Sequence, residues 1–85
     1  MSAPIAKKLD VTSSENTHLM GVGIREVHIK NQGVTDCQIE FDGAVSTDSY
    51  LLEAGETLSV EHPVIRLHFK TASGTTTLYV LKLTQ

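Results

Sequence analysis

The chain has 85 residues, of which 40% are hydrophobic and 20% charged, too apolar a composition for a disordered segment. Its formal net charge is −3, and its seven lysines and arginines are scattered, which excludes the basic stripe that tracks nucleic-acid phosphates. A single domain of this length buries only about 60–65% of the surface its unfolded chain exposes, so its core is modest.

Residues 1–7 read as an N-terminal arm, with Ile5 as its apolar anchor, ahead of a single β-sandwich domain over residues 8–85. The opening MSAPIAKKLD has two lysines but no apolar run behind them, and no window approaches about 18 consecutive apolar residues. Neither a secretion signal nor a membrane span is expected. Lys8 to Val11 suits a short first strand, and the polar run TSSENT after it reads as a loop. Leu19 and Met20 then lead through Gly21 and Gly23 into IREVHIKN, where the two glycines suggest a bulge or bend. They make no phosphate cradle, which needs a Lys-Ser/Thr pair and a following helix.

Asn31-Gln32-Gly33 is a turn signal, and in the next run Cys37, Ile39 and Phe41 alternate with Gln38 and Glu40 as a half-buried strand does. Asp42-Gly43 closes that strand. Tyr50 to Leu52 and TLSV follow, separated by Glu53-Ala54-Gly55-Glu56; Leu58 and Val60 share one face, and Pro63 cannot donate to a ladder. The helix that SYLLEAGE might suggest is stopped by Gly55 after barely two turns.

The C-terminal stretch carries the plainest β signal. Val64–Lys70 and Thr76–Leu83 flank the small polar segment TASGT, which predicts a β-hairpin. In its first arm Ile65, Leu67 and Phe69 alternate with Arg66 and His68. In its second, Leu78 and Val80 fall on one face and Tyr79, Leu81 and Leu83 on the other, so both faces are apolar. Turn signals recur every eight to twelve residues. The expected fold is all-β, a small antiparallel β-sandwich or partly closed barrel of about seven or eight short strands.

No catalytic constellation stands out. The histidines, at 18, 28, 62 and 68, lack the i, i+2 or i, i+4 spacing of paired metal ligands, though His28 and His68 could meet across strands. Asp42 and Asp48 lack the dense ligand alternation of a calcium loop, and no serine sits in a nucleophile elbow. Cys37 reads as a small buried hydrophobe. The expectation is a protein that is not an enzyme, with no cofactor, no metal site and no catalytic residue. An outward apolar row of Tyr79, Leu81 and Leu83 would then mark an interface.

The segments IKNQG, CQIEFDG, YLLEAGETLSV and IRLHFKTASGTTTLYVL occur in an order that resembles small β-sandwich structural proteins of tailed-bacteriophage virions. The resemblance spans roughly residues 24–83 and rests on turn chemistry and strand alternation. It implies a virion protein made in the host cytoplasm, most simply a capsid decoration or cement protein bound to the major capsid protein between assembled shell subunits. The alternatives are a tail or head-fibre accessory protein and a small glycan-binding module. A homo-oligomer is expected, a trimer being natural at a lattice junction. Tyr79, Leu81 and Leu83 would supply subunit contact and Ile5 the grip on the shell. A basic outer face of Arg66, His68 and Lys70 departs from the more neutral pattern of such proteins.

Overall fold

The computed structural model describes residues 4–21 and 23–84. Eight strands follow in chain order: β1 (Pro4–Val11), β2 (Asn16–Leu19), β3 (Ile24–Asn31), β4 (Cys37–Phe41), β5 (Tyr50–Leu52), β6 (Thr57–Val60), β7 (Arg66–Lys70) and β8 (Thr76–Thr84). They form two four-stranded sheets, ordered β1-β8-β3-β6 and β2-β7-β4-β5, with antiparallel neighbours throughout. This all-β sandwich has the strand order of a jelly roll.

Alternation decides what lies between the sheets. Val27 and Ile29 from β3, Leu78 and Val80 from β8, and Leu9 and Val11 from β1 meet Cys37 and Ile39 from β4 and Leu67 and Phe69 from β7. Met20, Ile24, Leu52 and Val64 complete this core. Cys37 is fully buried, and burial pushes its thiol up to about 11, so it stays protonated and acts as a hydrophobe.

Three sequence expectations change. The hairpin around TASGT does not form, because β7 and β8 belong to different sheets. Both edges of β8 are taken by the long strands β1 and β3, and both edges of β7 by β2 and β4. TASGT is a crossover between sheets, turned by buried Thr71, whose amide donates to the Thr12 carbonyl (2.9 Å) and whose hydroxyl donates to that of Gly74 (2.6 Å). Ile65 leaves the core for the same reason that β7 starts at Arg66: it sits in the preceding loop and is largely exposed. Finally, residues 4–7 of the expected arm lie in β1, paired with Leu83 to Val80 of β8; residues 1–3 lie outside the described residues.

The glycine pair before β3 does mark a bend. Gly21 and Gly23 have φ of 109° and 78°, and the β3–β8 register shifts between Ile24 and Glu26. Asp42 adopts a positive φ of 60°, held because its Oδ1 accepts the amides of Ile65 (3.1 Å) and Arg66 (2.7 Å). That turn duty occupies the carboxylate weighed as a calcium ligand.

Candidate site on an exposed sheet face

The outer face of the β1-β8-β3-β6 sheet follows from its registers. Residues opposite one another on neighbouring strands project to the same side, so Ala6, Leu81, His28 and Ser59 form one cross-strand row. Lys8, Tyr79, Lys30 and Thr57 form the next. Tyr79 is 45% and Leu81 38% exposed, while Leu83, on the same face, is half-buried. Between these rows runs a groove of about 260 Å³, lined by Ala6, Tyr79, Val80 and Leu81 with His28, Lys30 and Thr57.

One wall of the groove is fixed by hydrogen bonds. His28 Nδ1 lies 2.8 Å from Ser59 Oγ across the strand pair, and His28 Nε2 lies 2.5 Å from Glu26 Oε2 two residues earlier on the same face. The chain orders a hydroxyl, an imidazole and a carboxylate as a nucleophilic triad would. Yet the backbone N–H groups of a sheet lie in its plane, so none points up from the face at an oxyanion forming over Ser59. The three groups make a rigid polar wall. Glu26 and His28 share a face by their i, i+2 spacing, which was visible in sequence; the register that adds Ser59 was not.

Three of the four candidate interface residues, Tyr79, Leu81 and Leu83, thus share this face. Ile5 does not join them. It pairs with Lys82 in register, on the inward phase of β1, and is 47% exposed at one end of the sandwich. There Lys82, only 7% exposed, donates from Nζ to the Met20 carbonyl and bonds His18 Nε2, both at 3.0 Å. Burial, then the charges of Lys82 and Lys7, hold the His18 pKa below its ordinary value, so neutral His18 accepts from the ammonium. Burial, then Lys7, lowers the Lys82 pKa in turn.

The other histidines do not converge. His28 and His68 project from opposite outer faces of the sandwich, so the cross-strand meeting considered from sequence does not occur. His68 is opposite Thr17 and Glu40, with Nδ1 3.3 Å from Glu15 Oε2, and shares its face with Arg66 and Lys70 as expected. Among the described residues no group of three or more His, Cys, Asp or Glu side chains is placed to hold a metal ion.

No protein-family model and no curated protein matches the chain. Solved structures do. Hydroxypropylphosphonic acid epoxidase from S. wedmorenis in complex with fosfomycin aligns with a TM-score of 0.67 at 15% identity, over 93% of this chain and 43% of that one. A de novo designed double-stranded β-helix aligns at 0.60 with 19% identity, over 93% of this chain and 97% of the design. A cupin-2 domain protein from Shewanella frigidimarina aligns at 0.58 with 18% identity, over 92% and 68%. The chain thus spans under half of the epoxidase but nearly all of the design.

At these identities the likeness is one of fold, the double-stranded β-helix. It corrects the expectation that the chain is not an enzyme, because the same fold carries an epoxidase seen with Fe(II) and substrate. Iron itself does not fit the residues described here. The histidine facing the space between the sheets, His18, is bonded to a lysine and lies in the field of a second, and Cys37 is held protonated. A cation there would meet two ammonium groups and no carboxylate cluster.

Proposed function

We propose that this domain is a virion structural protein of the decoration or cement kind, which attaches to assembled subunits through the outer face of its β1-β8-β3-β6 sheet. The observation that carries the reading is the pair Tyr79 and Leu81, large, exposed and centred beside a groove on a sheet face that none of the described elements covers. The resemblance over residues 24–83 supports it, as does the architecture, since eight-stranded jelly rolls serve as viral capsid domains as well as cupins. A protein that binds only the assembled shell stabilises it by mass action.

Tyr79→Ala with Leu81→Ala tests this directly. The double variant should fold and lose most of its occupancy on purified particles, because such anchors typically carry 1–2 kcal/mol or more each, about tenfold in affinity. Unchanged decoration, or a wild-type protein absent from particles, overturns the reading. A second reading follows from the same groove: its apolar floor and the Lys30 and Thr57 at its rim suit a small amphipathic ligand with an anionic group. Saturable binding of aliphatic or aromatic carboxylates that Lys30→Ala abolishes would favour it.

A further inference from the structure

We propose that two copies of this chain join edge to edge through β1, antiparallel about a twofold axis at Leu9, so that Lys8 of each copy lies opposite Asp10 of the other. Among the described residues four strands end the two sheets, β1 and β6 in one and β2 and β5 in the other. One common way to blunt a sheet edge is to keep its strand short. β2, β5 and β6 have four, three and four residues, whereas β1 has eight, and its ladder to β8 runs from Pro4 to Val11 without a register shift. Among the described residues the β1 backbone bonds only to β8, and from Ile5 to Asp10 every residue except Leu9 is exposed. This long edge is therefore open to strand addition.

Side-chain phase and charge then select one register. Leu9 and Val11 are buried in the core, while Lys8 and Asp10 are exposed on the outer face opposite Tyr79 and Thr77. A twofold centre between two residues would set core-facing side chains of one copy beside outward ones of the next, which breaks the division between core and solvent. The centre therefore falls on a residue. At Lys7, Lys8 or Asp10 it opposes two identical charges, which destabilises a cross-strand pair. Centres nearer either end of β1 leave Lys8 and Asp10 with no charge opposite. At Leu9, Lys8 opposes Asp10 of the second copy and Asp10 opposes its Lys8, while Lys7 opposes Val11 and no like charges meet. The same patch serves both copies, so the contact is isologous and closes as a dimer. It goes beyond the docking reading, because joining the two four-stranded sheets at this edge leaves the face with Tyr79 and Leu81 open on both copies.

Sedimentation of the full chain over a range of concentration tests the contact. The wild type should dimerise. Lys8→Asp or Asp10→Lys places like charges opposite one another twice in each dimer and should weaken association about tenfold or more. Both positions are exposed, so the variants keep the fold. Mixed in equal amounts, K8D and D10K oppose unlike charges at both contacts, so the mixture should recover the association that neither variant shows alone. A wild type that stays monomeric, single variants that dimerise as tightly as the wild type, or a mixture as weak as its components each overturns the proposal.

Discussion

The carboxamide of Asn31 offers two donors and two acceptor sites, and all four are used. Nδ2 donates to the carbonyls of Thr35 (2.8 Å) and Leu52 (3.0 Å), while Oδ1 accepts the Gly33 amide (3.1 Å) and the Thr76 hydroxyl (2.6 Å). The side chain is fully buried, and the Leu52 carbonyl and Thr76 hydroxyl would be orphaned away from water without it. Gly33 is fitted to the same cluster, since a Cβ there would lie 2.9 Å from Thr76 Cβ. Asn31→Ala should therefore cost about 2–4 kcal/mol, read as a fall in the urea midpoint at unchanged slope. A loss under about 0.5 kcal/mol would place Asn31 with ordinary surface positions and refute this account.

Within elements, period-two alternation was legible in the sequence and correct where one face is buried and the other wet. Cys37 and Ile39 in β4, Leu58 and Val60 in β6, and the split of Leu78 and Val80 from Tyr79 and Leu81 in β8 all follow it. Pairing partners were not legible, because alternation fixes which way a side chain points and is silent on which strand lies alongside. The hairpin expectation failed on that point: adjacency in sequence favours β7 with β8, but the longer ladders to β1 and β3 occupy both edges of β8. The same gap hid the Ser59–His28 contact and the burial of Lys82, a charged residue in phase with the core. Residues 5–7 lack alternation because Ile5, Ala6 and Lys7 are all exposed on an edge strand. Deleting residues 1–7 separates arm from strand. The deletion strips half of β1 from β8 and should lower the melting temperature by roughly 5–15 °C, equivalent to about 1–2 kcal/mol; a frayed arm would leave it unchanged.

At the scale of the molecule, an apolar sandwich is pinned by one polar contact set at each end. Asn31 ties β3 to the Leu52 carbonyl of the opposite sheet, and Lys82 of β8 ties to His18 and the Met20 carbonyl across the gap at the other end. The second tie requires neutral His18, because a protonated imidazole has no lone pair for Lys82 Nζ and would add a third positive charge beside Lys82 and Lys7. Its folded-state pKa is lowered from the ordinary 6.5, so at acid pH the unfolded chain takes up a proton that the folded chain resists. The stability from this site is complete above about 6.5 and is lost as pH falls from there through the lower folded value. The informative quantity is a difference between two proteins that share every other residue. His18→Gln keeps an acceptor for Lys82 but cannot titrate. Urea midpoints of wild type and variant should stay parallel from pH 8 to about 7, then diverge below about 6.5 as the wild type weakens more steeply. Parallel curves down to pH 5 would show that His18 titrates alike in the folded and unfolded chain, and that Lys82 is held by the Met20 carbonyl without it.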